Sequence, residues 1–77
     1  MNRYDVAVVM HIDEELSDME IHTLEHDLSF SHGIRSACIN ESTRHLMVVD
    51  YDPEQAYSYD ILSTVRDRGY HAALIGL

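Results

Sequence analysis

Short apolar segments typical of β-strands alternate with two helix-forming segments along this chain, and their order leaves few folds open. The segments are, in chain order, a strand at 4–12, a helix at 18–29, strands at 34–40 and 45–51, a helix at 59–68 and a strand at 70–77. Right-handed crossovers between them predict one antiparallel sheet of four strands, in the order 4-1-3-2. Both helices then cover one face of this sheet, which is the ferredoxin-like arrangement of the α+β class.

Local signals mark where each helix begins and ends. Ser17 and Glu20 have the spacing of a capping box, and Leu16 and Ile21 are placed to form a hydrophobic staple around it. In the second helix, Ser58 is placed to cap the start, and Tyr57 and Leu62 are placed to form the staple. A glycine follows each helix, Gly33 after the first and Gly69 after the second. These signals predict two short, well-delimited helices.

Length and charge narrow the class of protein. A chain of 77 residues supports one domain, 1–77, and its single cysteine excludes an internal disulfide. The net charge of −9 argues against nucleic acid and anionic membranes as partners, because both are polyanions. No apolar run approaches the roughly 20 residues that span a bilayer. A soluble, cytoplasmic protein is expected.

Three stretches carry information beyond the order of elements: "GI" at 33–34, "VVDYDP" at 48–53 and "ILSTVRDRGYHAAL" at 61–74. They resemble the heavy-metal-associated domain, which is found in copper chaperones and in heavy-metal-transporting ATPases. That family has Gly-Val at the start of strand two, V-x-Y-D-P at the end of strand three and I-x-x-x-I-x-x-x-G-Y at the end of helix two. The resemblance covers nearly the whole chain, and it implies the same fold and a metal-binding role.

The metal-binding motif of that family, G-M-x-C-x-x-C, is absent. When the first helices are aligned on Leu24 and Leu28, Ser17 and Glu20 stand where the family has its cysteines. A two-thiolate Cu(I) site is therefore not expected, since Cu(I) is a soft metal that selects thiolates. Cys38 lies in the middle of a strand and is expected to be a small packed residue.

Histidines offer a different set of ligands. Strand one ends at the sheet edge where strands three and four begin, so His11, His45 and His71 are expected there together with Asp13. Alternation along the strands places His11 and His71 on the open sheet face as a candidate cross-strand pair. Imidazole and carboxylate ligands suit a divalent ion such as Zn(II), Ni(II), Cu(II) or Fe(II). The sequence leaves open whether these residues bind metal or are ordinary polar surface.

A weaker metal signal lies on the first helix. His22 and His26 are spaced i, i+4, which is a spacing that can chelate one ion. A solvated helix face has the same appearance, so the pattern alone does not decide.

The predicted strands are apolar on both faces. An antiparallel sheet with helices on one side should present polar residues on the other side. Here the residues of outward parity include a set of aliphatic side chains: Val9, Leu46, Val48, Ile75 and Leu77. A contiguous apolar patch usually marks an interface, and a symmetric homodimer is the simplest one. The alternative is that short strands tolerate a few exposed aliphatic residues.

The sequence contains no nucleophile paired with a base in a known motif and no glycine-rich phosphate loop. It therefore argues against an enzyme. Two hypotheses remain. The first is a metal-binding or metal-delivery protein that uses His and carboxylate ligands. The second is a metal-free module that associates with itself or with a protein partner through the open sheet face.

Overall fold

The protein, seen here as a computed structural model, is described over residues 5–76. Its elements are β1 (Val6–Ile12), α1 (Asp18–Ser29), β2 (Ile34–Ile39), a 3-10 turn (Glu41–Thr43), β3 (Leu46–Tyr51), α2 (Ser58–Asp67) and β4 (Ala72–Gly76). The strands form one antiparallel sheet in the order β2-β3-β1-β4. The predicted β-α-β-β-α-β order and the ferredoxin-like α+β layout are confirmed.

Alternation along the strands builds the core on one face of the sheet. The inward residues are almost fully buried against the apolar faces of the two helices. On the strands they are Val8, Met10, Ile12, Ile39, Met47, Val49 and Tyr51, and on the helices Ile21, Leu24, Leu28, Ile61, Leu62 and Val65. Neither helix within residues 5–76 is long and apolar enough to cross a membrane.

The opposite, open face of the sheet carries the outward aliphatic residues. Val9 lies opposite Val48 in the β1–β3 pairing, and both are on this face. The side chains of Val48 and Ile75 are 41% and 56% exposed, while Val9 and Leu46 are half-buried. The outward positions predicted for these four residues agree with their exposure, whereas the prediction for Leu77 lies outside the described residues.

Cys38 lies on the same open face, where it is directly opposite Val48 in the β2–β3 pairing. Its side chain is exposed. The expectation of a small packed residue was wrong, because the parity of Cys38 along β2 points its side chain away from the helices and into the open. One thiol cannot form the two-thiolate site that Cu(I) would need.

The N-terminus of α1 has the predicted capping box. The Ser17 hydroxyl oxygen accepts a hydrogen bond from the Glu20 backbone N–H at 3.1 Å. The Glu20 carboxylate accepts one from the Ser17 backbone N–H at 2.8 Å. Leu16 and Ile21, the two residues of the predicted staple, are both buried. Two otherwise unpaired backbone N–H groups are thereby satisfied, which fixes the first turn of the helix.

The N-terminus of α2 differs from the prediction. Tyr57, not Ser58, is the N-cap residue, with extended backbone angles and no hydrogen bond from its side chain. Ser58 is already the first helical residue, so its hydroxyl is not at the capping position. Tyr57 is also largely exposed, so the predicted staple with Leu62 is not formed. The helix is held instead by the burial of its apolar face.

These two helix starts give a matched pair of variants. Ser17→Ala is expected to lower the free energy of unfolding by about 1 kcal/mol, because it removes a cap hydrogen bond. Ser58→Ala is expected to leave stability almost unchanged, because Ser58 caps nothing and alanine is a good helix former. Urea unfolding of both variants measures the difference, and equal effects would contradict the capping assignments.

Candidate metal centre

The backbone gathers three histidines where β1 ends and where β3 and β4 begin. The Ile12 N–H donates to the His45 carbonyl at 2.8 Å, and the Asp13 N–H donates to the His71 carbonyl at 2.8 Å. His45 and His71 therefore flank the end of β1 on its two sides. We call the group His11, Asp13, Glu14, His45 and His71 the histidine edge. The predicted gathering of the three histidines at one edge agrees with this placement.

His11 and His45 are in direct contact. Their rings stack with centroids 5.7 Å apart and planes 17° from parallel. His45 Nδ1 is 2.7 Å from the Ile12 carbonyl oxygen. A carbonyl oxygen can only accept, so Nδ1 carries the proton. In the neutral ring the lone pair is then on Nε2, which is the form that a metal ion requires.

Asp13 lies beside His11. His11 Nδ1 is 3.1 Å from a carboxylate oxygen of Asp13, and the His11 side chain is 43% exposed. The negative charge of the carboxylate favours the tautomer of His11 with the proton on Nδ1 and the lone pair on Nε2. Asp13, which was predicted as a helping ligand, is therefore placed next to the ring of His11.

His71 does not pair with His11. Ala73, and not His71, lies opposite His11 in the β1–β4 pairing, so the predicted cross-strand pair was wrong. His71 instead binds Glu14, whose carboxylate accepts from His71 Nδ1 at 2.6 Å and from the His71 backbone N–H at 2.8 Å. The Glu14 hydrogen bond and charge raise the pKa of His71, and the same hydrogen bond lowers the pKa of Glu14. A raised pKa favours the proton over a metal ion at His71.

The Glu14–His71 pair predicts a pH-dependent contribution to stability. The contribution from the raised His71 pKa is present below the ordinary value of 6.5 and is lost as pH rises through the folded-state pKa. The contribution of Glu14 to stability is present above pH 4.5, its ordinary pKa, and is lost as pH falls through its lowered pKa. Glu14→Gln is therefore expected to destabilise the fold between pH 4.5 and pH 6.5 and to have little effect in alkaline solution.

An NMR titration of the His71 ring checks this directly. Glu14→Gln should return the His71 pKa towards 6.5, whereas Glu15→Gln, a matched change at the next residue, should leave the pKa raised. A His71 pKa that does not change in Glu14→Gln would contradict the contact.

Arg44 ties down the connection from β1 to α1. Its guanidinium donates to the Leu16 carbonyl at 3.0 Å and to an Asp18 carboxylate oxygen at 2.8 Å. Together with the capping box, this contact fixes the segment between β1 and α1. Arg44 was not identified from the sequence, and Glu14 was expected at this edge but without a partner. The signal available for Arg44 was a lone basic residue next to His45 in an acidic chain.

Among residues 5–76, no hydrogen bond, ion pair or ring contact joins the histidines of α1 to the histidine edge. His22 is exposed. His26 packs its ring against Phe30 with centroids 4.8 Å apart, and its Nδ1 is 3.6 Å from an Asp27 carboxylate oxygen. The side chain of His26 is thus turned towards the C-terminal end of the helix, away from His22.

Within residues 5–76, the structure brings together no group of three His, Cys, Asp or Glu side chains that could hold a metal ion. The histidine edge offers two adjacent imidazoles, His11 and His45. Nδ1 of His45 is bound to the Ile12 carbonyl, and Nδ1 of His11 lies beside the Asp13 carboxylate. Among residues 5–76, Nε2 of neither ring makes a hydrogen bond. The stacked rings therefore place two candidate nitrogen ligands side by side at one edge of the sheet.

No protein-family model matches this chain, and no curated protein matches it either.

Proposed function

We propose that this protein binds a divalent transition-metal ion through Nε2 of His11 and Nε2 of His45. The observation that carries the proposal is the stacked pair of rings, in which Nδ1 of His45 is bound to the Ile12 carbonyl, Nδ1 of His11 lies beside the Asp13 carboxylate, and neither Nε2 makes a hydrogen bond within residues 5–76. Metal-bound histidines usually donate their second ring N–H to a carboxylate or a backbone carbonyl, which orients the ring. Asp13 and the Ile12 carbonyl are acceptors of these two kinds.

The electrostatics of the edge also favour a cation. Asp13, Glu14 and Glu15 follow β1 directly, and the chain carries a net charge of −9. Arg44, next to His45 in the chain, is paired with Asp18. A divalent ion approaching His11 and His45 thus meets a negative field, which raises its local concentration.

The ligand atoms determine the kind of metal. Two imidazoles suit Zn(II), Ni(II), Cu(II) or Fe(II), whereas Cu(I) selects thiolates and the chain lacks a pair of them. The resemblance to the heavy-metal-associated domain supports a metal role at the same end of the sheet, although with different ligands. A site with open coordination positions suits uptake and delivery of an ion better than permanent storage, because a closed structural site uses four ligands.

Titration of the protein with Zn(II), followed by calorimetry, tests the proposal. The parent is expected to bind stoichiometrically, and a His11→Ala, His45→Ala double variant is expected to lose this binding. The matched control is His22→Ala, His26→Ala, which removes two exposed histidines of α1 and should bind as the parent does. Equal binding by the parent and the His11, His45 variant would refute the proposal.

A second candidate function is a metal-free interaction module. Its support is the open sheet face, where Val48 and Ile75 are exposed beside Val9 and Leu46. An apolar sheet surface of this kind favours contact with another protein surface. Association that is unchanged by a chelator would favour this candidate over metal binding.

A further inference from the structure

We infer that the outer edge of β4 binds the C-terminal segment of another protein, which adds to the sheet as an extended strand with its terminal carboxylate at Arg66. This binding site does not depend on metal binding. In strand addition the main chain supplies hydrogen bonds, and side chains or a chain terminus supply the specificity. The observations that carry the inference are an unpaired strand edge and an unpaired arginine at its start.

The strand register leaves polar backbone groups of β4 facing away from the sheet. β4 is an outer strand and pairs with β1. The Asp13 N–H donates to the His71 carbonyl. This bond lies one residue beyond the Ile12–Ala72 pair on each strand, so that pair is of the non-hydrogen-bonded kind. The N–H and C=O of Ala72 therefore point to the outer edge, as do those of Leu74, two residues along. Within residues 5–76, these four groups receive a single hydrogen bond, from an arginine of α2.

The opposite outer strand, β2, is protected in a way that β4 is not. The Glu25 carboxylate accepts from the Ile39 N–H at 2.7 Å, which covers a backbone donor of β2. Arg35, within β2, is paired with Asp5. Charged side chains on an outer strand discourage pairing with another chain. β4 has the sequence AALIG, with no charged residue and no proline, so its outer edge is open to a further strand.

Arg66 supplies a cation at the start of this edge. Its Nε donates to the Ala72 carbonyl at 3.0 Å, which holds the guanidinium beside the outward groups of β4. Arg66 makes no ion pair within residues 5–76, whereas the other arginines of this range are each paired with an aspartate: Arg35 with Asp5, Arg44 with Asp18 and Arg68 with Asp27. Its remaining N–H donors are available to a carboxylate, which arginine can bind through two parallel hydrogen bonds.

The surface beside Arg66 has room for a chain terminus. Arg66 and Ala72 line an open cleft of about 560 Å³, together with Tyr70 and Asp13. This volume is in the range of ligand sites. The Asp13 carboxylate lies 3.1 Å from Nδ1 of His11, so it has a neighbour of its own.

The charge of Arg66 fixes the direction of the bound strand. An antiparallel segment ends at the start of β4, so its last residue lies opposite Ala72 and its third residue from the end lies opposite Leu74. The carboxylate then meets the Ala72 N–H and the Arg66 guanidinium together. A parallel segment would bring its amino end there, and Arg66 repels a positive amino terminus. Because the chain carries −9, the residues before the carboxylate are expected to be neutral or basic.

An NMR titration of the nitrogen-15-labelled full chain, with a chelator present, tests the inference. The probe is an N-acetylated six-residue peptide, two Lys followed by alternating Thr and Val, with a free C-terminal carboxylate. The amide signals of Ala72 and Leu74 are expected to shift as the peptide saturates the site, and both N–H groups should exchange more slowly with solvent. The same peptide with an amidated C-terminus should bind about 10-fold more weakly, because it loses a charge-assisted hydrogen bond.

Arg66→Gln should weaken binding of the free-carboxylate peptide by about 10-fold and remove the difference between the two peptides. The matched control is Arg68→Gln, which removes the same charge two residues along the chain from a guanidinium that is paired with Asp27. This control should bind both peptides as the parent does.

Two N-methylated peptides test the strand pairing without altering the protein. Methylation of the third residue from the C-terminus removes the N–H that donates to the Leu74 carbonyl and should abolish binding. Methylation of the second residue from the C-terminus removes an N–H that points away from β4, and this peptide should bind about as well as the unmodified one.

The contrary outcomes are distinct. No saturable shift with millimolar peptide would overturn the inference and leave the metal proposal standing. Equal affinity for the free and amidated peptides would overturn the carboxylate site at Arg66. Equal losses from the two methylations would overturn the antiparallel pairing with β4. Shifts centred on Ile39 would place the peptide on β2 and overturn the assignment to β4.

Discussion

Gly33→Ala is expected to destabilise the protein by about 2–4 kcal/mol, which is a large fraction of the stability of a domain of this size. Gly33 has a φ of +82°, a conformation that strains any residue with a Cβ atom. A Cβ at this position would also lie 2.8 Å from the Ala56 Cβ and 3.0 Å from the Gln55 carbonyl carbon. Neither neighbour is the end of a flexible side chain, so the backbone itself must shift.

Gly69→Ala provides the control for this variant. Gly69 has a φ of +97°, but nothing lies within 4 Å of a Cβ built there. It therefore carries the backbone strain without the clash, and the expected loss is about 1 kcal/mol. Chemical unfolding of the two variants separates strain from packing. If Gly33→Ala loses no more stability than Gly69→Ala, the close approach of Gly33 to Ala56 is wrong.

The affinity for a divalent metal is expected to fall steeply as pH is lowered. Both imidazoles must be neutral at Nε2 to bind, so each bound ion displaces a proton from each protonated ring. With two rings from one chain, the affinity should fall by up to about 100-fold for each pH unit once both are protonated in the free protein.

Zn(II) titrations at about pH 7.5, 6.5 and 5.5 measure this slope, since histidine is the side chain that titrates in this range. His45→Ala should reduce the dependence of zinc affinity on pH by one proton per chain, because only one imidazole ligand is left to lose a proton on binding. Glu14→Gln should show the same dependence as the parent, because Glu14 binds His71 and not the proposed ligands. An affinity that does not depend on pH would exclude imidazole ligands.

Much of the fold was predictable because its signals are local and repeat along each element. The α1 bounds follow from the capping box at Ser17 and from the apolar spacing of Ile21, Leu24 and Leu28. The strand order follows from the handedness of the crossovers. The start of α2 was not predictable from residue type alone, because the cap position depends on the extended backbone of Tyr57.

The candidate site was predictable in place but not in pairing. Topology brings the ends of β1, β3 and β4 to one edge, and this placed His11, His45 and His71 near one another. Which of them pair depends on the register of β4, in which Ala73 lies opposite His11. It also depends on the Glu14–His71 contact, which joins residues 57 positions apart. A contact between a loop carboxylate and a distant strand start has no periodic signal in the sequence.

The most direct test of the metal proposal is an NMR correlation of the imidazole nitrogens, recorded before and after addition of Zn(II). We expect the NMR signals of Nε2 of His11 and Nε2 of His45 to shift together. Nδ1 of both rings should stay protonated, in His11 beside Asp13 and in His45 bound to the Ile12 carbonyl. Shifts confined to His22 and His26, or no shift in any ring, would contradict it.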